Sequence, residues 1–191
     1  QQMGKIGVFA ESVVVPQEAC YPLKDESKGH LLSPQAAALI GCCVTTGVGA
    51  VINSPVASAG MTVAVFGCGG VGLSVIQGAR LMNASRIIAV DVYSHKLEFS
   101  YKFGATDVVN SRETDPVEAI LELTDGGVDM AFDSFGGSIT TASAFSSVRK
   151  GGTAVVIGLS APEESPPIDL YQMVVSQKSL VGSFYGSANP H

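Results

Sequence analysis

One hexamer constrains this chain more than any other feature. Gly67-Cys-Gly-Gly-Val-Gly72 has the spacing G-x-G-x-x-G, directly after the apolar run Thr62-Val-Ala-Val-Phe66 and at the head of a helical pattern over residues 71–82. The three glycines act differently. Gly67 permits the tight turn out of the strand, Gly69 lets backbone approach a pyrophosphate, and Gly72 lets the helix pack closely on the strand. The helix start, at Gly70 and Val71, offers unpaired N–H groups and a partial positive charge to phosphate. In a chain with 22 glycines the hexamer alone is weak. Its context is stronger. The next strand, residues 86–90, runs into Asp91, 19 positions after Gly72, where a dinucleotide fold places its ribose-binding acid about 20 residues on. Asp91 can accept hydrogen bonds from both hydroxyls of an adenosine ribose, and a 2′-phosphate would face its carboxylate, which favours NAD over NADP. A P-loop is excluded, because G-x-x-x-x-G-K-[ST] does not occur in the chain.

The remaining pattern alternates. Strands are expected at 62–66, 86–90, 107–109, 128–132, 153–157 and 179–184. Between them helices are expected at 71–82, 94–103, 115–123, 138–148 and 169–175, with Gly104 as a C-cap and Pro116 in a first turn. Strand–helix alternation of this kind implies a parallel sheet covered on both faces. The expected fold is an α/β, Rossmann-type doubly wound six-stranded sheet in the order 3-2-1-4-5-6, right-handed throughout.

Ahead of it, residues 7–15 read as a short strand and 17–33 as a loop. Ser33-Pro34 is an N-cap with proline at the first helical position, opening a largely buried helix over 35–53. A chain that begins Gln1-Gln2-Met3 and enters a strand at once reads as cut from something longer, with 1–33 a trailing strand and linker and 34–191 the dinucleotide domain. No Asp, Glu, Lys or Arg lies between Leu31 and Ala79, yet Gly47, Gly49, Asn53, Pro55 and Gly60 interrupt the run. It reads as buried soluble elements rather than a membrane span. Net charge −6 argues against nucleic acid or an anionic membrane as partner. The cysteines Cys20, Cys42, Cys43 and Cys68 contain no C-x-x-C pair; no apolar segment follows a basic start, so no secretory signal and a reducing cytoplasm are expected.

These residues resemble a known family, the zinc-dependent medium-chain alcohol dehydrogenases. The resemblance is carried by Ile40-Gly-Cys-Cys-Val-Thr-Thr-Gly-Val-Gly49, Val63-Ala-Val-Phe-Gly-Cys-Gly-Gly-Val-Gly72, Ser85-Arg-Ile-Ile-Ala-Val-Asp91, Phe103-Gly-Ala-Thr-Asp-Val-Val-Asn110 and Gly182-Ser-Phe-Tyr-Gly186. It implies that the chain is the coenzyme-binding domain of such an enzyme plus the trailing edge of its catalytic domain. It also implies roles: Cys42 as a ligand of the catalytic zinc, Thr46 one turn on at the nicotinamide, Val92 beside the adenine, and Lys96 on the adenosine ribose. Ser134 and Phe135 after the fourth strand, and Ile157, Gly158 and Leu159 after the fifth, match the nicotinamide side. That placement also obeys the rule that ligands sit beyond the carboxyl ends of parallel strands. The family more often has glycine where Cys43 stands. Taken without the resemblance, Cys42 reads as an ordinary buried small residue and Lys96 as a surface lysine. Asp133, at a strand's carboxyl end where a carboxylate can look catalytic, has no base or histidine near it in sequence and reads as structural or as a support to neighbouring groups, and Cys68 as merely tolerated in its loop.

The function implied is NAD-dependent hydride transfer between alcohol and aldehyde or ketone, with zinc belonging to the full-length enzyme only. No catalytic set is complete in this chain, so the fragment is expected to be inactive. A zinc-free reductase of the same superfamily and a non-catalytic NAD-binding module are the alternatives. Residues 179–184 (Ser179-Leu-Val-Gly-Ser-Phe184), last in the sheet order, are an exposed apolar edge and are expected to pair two copies into a homodimer.

Overall fold

The computed structural model describes residues 10–20 and 32–187. The expectations for residues 7–9, for most of the 17–33 loop and for the terminal histidine lie outside the described residues. The chain divides into two compact units, Gln1–Ala37 and Ala38–His191.

Within the first unit, residues 10–15 carry no strand pairing, which corrects the strand expected there as far as it is described. Val14 is almost wholly exposed; β-branched composition favours an extended chain, but a strand also needs a neighbour to bond. A single 3-10 turn, Gln17–Ala19, follows Pro16.

The second unit is the expected sheet. Its strands β1 (Thr62–Phe66), β2 (Arg86–Asp91), β3 (Asp107–Asn110), β4 (Val128–Asp133), β5 (Val148–Val156) and β6 (Ser179–Gly182) lie in the order β3-β2-β1-β4-β5-β6, all pairs parallel. Among the described residues the helices are α1 (Pro34–Leu39), whose first four residues belong to the first unit, α2 (Thr45–Ile52), α3 (Gly70–Leu81), α4 (Ser94–Ser100), α5 (Pro116–Thr124), α6 (Ser138–Ser147) and α7 (Leu170–Val175). Strand alternation sends successive residues to opposite faces. Val63 and Val65 join Val51, Val75 and Ile76 of α2 and α3 in one core. Ala64 and Phe66 join Ile120, Ala144 and Phe145 of α5 and α6 in the other. Both faces of the sheet are therefore covered, as a parallel sheet requires.

Two strand boundaries differ from expectation by more than one residue, and one helix differs in burial. β5 begins at Val148 rather than 153, because Val148 already pairs with Val128 across an irregular step in register. β6 stops at Gly182 rather than 184. Ser183 N still donates to Val156 O at 2.9 Å, but Tyr185, Gly186 and Ser187 take positive φ (49°, 66° and 51°) and turn the chain away. The helix expected over 35–53 runs from Pro34 to Ile52 but is not largely buried. Ser33 Oγ accepts from Ala36 N at 3.2 Å at its start, the first half buries nothing, and only Gly47, Ala50 and Val51 are buried in the second. Those residues form the face turned to α3; Leu39, Ile40 and Ile52 are exposed. At 19 residues and mean hydropathy 1.8, Pro34–Ile52 is long and apolar enough to cross a membrane by length and composition, a test that a core helix also passes. Its second half packs as a core helix does. A Cβ on Gly47 would stand 2.4 Å from Val71 O, and one on Gly78 would stand 3.1 Å from Val48 Cα.

At the amino end of the sheet, Asp129 joins β1 to β4. Its Oδ2 accepts from Thr62 N at 2.6 Å and Thr62 Oγ1 at 2.8 Å, and Arg149 Nη2 lies 2.6 Å from Oδ1. Burial pushes this carboxyl up, but the Thr62 hydrogen bonds and Arg149 outweigh it and hold it below the usual carboxylate range.

Candidate functional site

The glycine turn has the geometry its spacing predicts. Gly67 has φ +93°, a conformation in which an L side chain is strained. A Cβ on Gly72 would lie 1.8 Å from Gly67 O, so only glycine lets α3 start this close to β1. Gly69 N-caps α3 at φ −83° and ψ −168°, and among the described residues nothing lies within 4 Å of where its Cβ would be. The space in front of the helix start at Gly70 and Val71 is open. Ser134 Oγ lies 2.9 Å from Phe66 O and 2.8 Å from Gly67 O; its hydroxyl ties the end of β4 to the turn.

Asp91 ends β2 beside this turn, 8% exposed. Its Oδ2 accepts from Cys68 N at 2.8 Å and its Oδ1 from Tyr93 N at 3.0 Å. Lys96 Nζ from α4 stands 3.8 Å from Oδ2, so Lys96 is more than a solvated surface lysine. Cys68 is buried, with Sγ 3.7 Å from Val90 O. Burial, and then the Asp91 charge, push its thiol up to about 12. It fills core rather than being merely tolerated in a loop. Val92 is partly exposed next to Asp91.

The carboxyl ends of β4 and β5 form the other half of the site. Phe135 and Leu159 project into solvent at 70% and 74% exposure. Ile157 N and Gly158 N both donate to Asp133 O, at 2.9 and 3.0 Å. Asp133 is fully buried, and its hydrogen bonds are those of a structural group, the role expected from the lack of a base or histidine near it in sequence. It accepts from Phe135 N and Gly136 N, each at 3.0 Å, and from Thr140 Oγ1 at 3.2 Å and Thr141 Oγ1 at 2.6 Å. Two features escaped the sequence. Gly136, at φ +85°, would place a Cβ 2.2 Å from Gly158 C, so the two loops touch backbone to backbone. The signal was present in Gly136-Gly137 directly after a strand. The second is Ser183, whose hydroxyl is buried at the end of β6 with no partner among the described residues; nothing in the sequence marked it.

Cys42 and Cys43 lie on a π turn, Ile40–Val44, between α1 and α2. Thr45 Oγ1 reaches back to Ile40 O at 2.5 Å and stabilises the wide turn. Such turns concentrate at functional sites. The two thiols separate: Cys42 is exposed, whereas Cys43 lies against Gly70, whose Cβ would be 3.3 Å from Cys43 Sγ. Thr46 follows in the first turn of α2, and α2 is held to the chain after β6 by Asn53 Nδ2 donating to Gly186 O at 2.9 Å. Cys42 alone is not a zinc site, which needs three protein ligands and an open position. Among the described residues no group of three or more His, Cys, Asp or Glu could hold a metal ion.

Comparison with known proteins gives a consistent result. A family model described as zinc-binding dehydrogenase matches residues 70–191. The chain is similar to S-(hydroxymethyl)glutathione dehydrogenase of Saccharomyces cerevisiae, 45% identical over 79% of this chain and 40% of that protein. It is also similar to alcohol dehydrogenase 2 of Zea mays, 42% identical over 80% of this chain and 41% of that protein. The crystal structure of benzyl alcohol dehydrogenase from Acinetobacter calcoaceticus superposes with TM-score 0.78 at 31% identity, covering 97% of this chain and 46% of that one. The chain thus spans about 40% of the length of the curated relatives it matches.

Proposed function

This chain belongs to the zinc-binding dehydrogenase family, and on that premise we propose that it is the NAD-binding part of an alcohol dehydrogenase acting on small alcohols and aldehydes. The observation that carries the reading is the joint geometry of Gly67, Gly72 and Asp91. An open helix start stands in front of a turn that only glycine can make, and a buried carboxylate is bonded to that same turn.

The residues present fit the cofactor. The amides at Gly69, Gly70 and Val71 would hold the pyrophosphate in the space a side chain at position 69 would fill. Asp91, with two acceptor positions already engaged and others free, and Lys96 would hold the adenosine ribose, with Val92 against the adenine. On the other side Thr46, Ser134, Phe135, Ile157, Gly158 and Leu159 would orient the nicotinamide and keep water from it, Phe135 and Leu159 by covering the ring with apolar surface. NAD, when bound, supplies the carbon that accepts or returns hydride.

For zinc the described donors are insufficient, and no step is assigned to it in this chain. Cys42, exposed on its π turn, is suited to give one ligand; the others would come from the portion of the longer relatives that this chain does not match. That portion would also cover the exposed apolar face of Pro34–Ile52, with residues 1–33 as its trailing edge. The chain alone is then inactive. A cytoplasmic setting agrees with free Cys20, Cys42, Cys43 and Cys68.

We also infer a homodimer through β6. It is the terminal strand of the sheet; Val181 on it is exposed, and so are Leu170, Tyr171 and Val174 of α7, the helix that precedes it. Two-fold pairing would continue the sheet from one copy to the other.

Titration of the 191-residue chain with NADH, followed by the blue shift of its fluorescence, tests the reading. Saturable binding at one site per chain, abolished in Asp91→Ala, is expected. A folded chain that binds no NADH at millimolar concentration overturns it.

A further inference from the structure

The carboxyl ends of β2 and β3 are wired to one another. Ser111 N donates to Asp91 O at 3.1 Å, while Asn110 Nδ2 donates to Ser94 Oγ at 3.2 Å and to Glu113 Oε1 at 2.6 Å. This wiring brings the Arg112 guanidinium over the Tyr93 ring, its carbon 4.9 Å from the centroid. Lys96 Nζ lies 5.0 Å from the same centroid. Two cations thus lie over one exposed aromatic ring, and one of them, Lys96, also stands 3.8 Å from the carboxylate that would bind ribose. Asp91, for its part, is not a bare negative charge. Two backbone N–H groups and the Lys96 ammonium already compensate it, and the nearby Glu113 is engaged by Asn110.

We propose that Arg112, steadied on Tyr93 alongside Lys96, is a specificity-determining residue that lets this pocket accept a phosphate on the ribose 2′ oxygen, so that the chain binds NADP as well as NAD with only a shallow preference. This rests on the dinucleotide-binding reading above. A 2′-phosphate carries up to two negative charges and three acceptor oxygens, and the planar guanidinium engages such a group through paired N–H donors. Stacking on Tyr93 restricts the Arg112 side chain beforehand, so less rotamer freedom is lost on contact. An Asp91 whose charge is partly compensated by two N–H donors and the Lys96 ammonium repels that phosphate less than an isolated carboxylate.

The test is to titrate the 191-residue chain with NADH and with NADPH, in wild type, Arg112→Ala and Arg112→Lys, at low and at high salt. In wild type the NADPH Kd is expected within about tenfold of the NADH Kd, a gap of less than about 1.4 kcal/mol. Arg112→Ala should weaken NADPH by about fivefold or more and NADH by less than about twofold, and Arg112→Lys should recover part of the NADPH loss. Raising salt should weaken NADPH more than NADH in wild type, and this difference should shrink in Arg112→Ala. A wild-type gap of about tenfold or more, or an Arg112→Ala that moves both nucleotides alike or neither, overturns the Arg112 assignment and leaves the dinucleotide site standing. A chain that binds neither nucleotide overturns both.

Discussion

Replacing Gly72 and Gly69 separately by alanine divides what the glycine turn does for folding from what it does for binding. At Gly72 the new Cβ would lie 1.8 Å from Gly67 O, 2.9 Å from Gly67 C and 2.8 Å from Ser134 Oγ. A carbon–oxygen contact needs roughly 3.2 Å, so α3 must retreat from β1 by more than an ångström or the turn must open. Overpacking of this kind costs about 1–3 kcal/mol. Opening the turn also loosens the Ser134 hydrogen bonds to Phe66 O and Gly67 O, worth about 1 kcal/mol. Together Gly72→Ala should cost about 2–4 kcal/mol. In a domain of this size each kcal/mol is roughly 2–4 °C of Tm, which predicts a fall on the order of 10 °C. Gly69→Ala is the contrast. Its backbone has φ −83° and its Cβ would meet nothing, so stability should hold or rise by about 0.4–1 kcal/mol through a less flexible unfolded chain. That same methyl group, however, would occupy the approach of the pyrophosphate, and NADH affinity should fall by about tenfold or more. Urea unfolding gives the stabilities and NADH fluorescence the affinities. A Gly72→Ala protein as stable as wild type would refute the packing argument. A Gly69→Ala protein with undiminished NADH affinity would refute the placement of the phosphate.

Asp129→Asn should cost about 2 kcal/mol at pH 7, the scale of hydrogen bonds to a charged group. Because the folded carboxyl is held below its unfolded value near 3.9, its contribution is complete above that value and is lost as pH falls through the folded pKa. Urea midpoints of wild type and variant should therefore converge in strong acid, and a gap that persists there would show that charge is not the cause. In a Cys43→Ser background, Cys42 and Cys20 should react promptly with a thiol reagent at pH 8, while Cys68, with its thiol near 12, reacts only as fast as the chain unfolds. A Cys68 that reacts promptly in the folded state would refute its burial. For the dimer, Ser183 N faces β5, and strand alternation then turns the Gly182 N–H outward to the free edge. Gly182→Pro should give a folded monomer by light scattering, and a dimer that survives it places the interface elsewhere.

The parts of this structure that were legible in the sequence are those enforced by short-range chemistry. Gly67, Gly72 and Asp91 announced themselves because a strand, a turn and an acid at fixed spacing leave few other geometries. The sheet order followed from alternation and the handedness of crossovers. The π turn at Ile40–Val44 was not legible, because Gly41 in Ile-Gly-Cys-Cys-Val marks a weak point in a helix but not an extra residue per turn, which is a matter of where Thr45 bonds. Nor was the exposure of Leu39 and Ile40: an apolar helix says that something covers it, not that the cover lies in the same sequence. Arg112 lies 21 positions from Asp91, a separation with no periodicity to reveal that β2 and β3 end side by side.

The contact of α2 with α3 at Gly47 and Gly78 has a mechanical consequence. Where side chains separate two elements, they form a layer that can shift rotamers and absorb small displacements. Here backbone meets backbone, and that cushion is missing. The two helices behave as one strut, with the thiol of Cys42 near one end and the helix start that faces a phosphate alongside it. A rotation of α3 about its first turn meets no side-chain layer here that could absorb it, so the backbone contact itself sets how the two helices are spaced. Anyone grafting this cradle into another scaffold would have to carry both helices across, because either one alone lacks the flat face that sets the spacing.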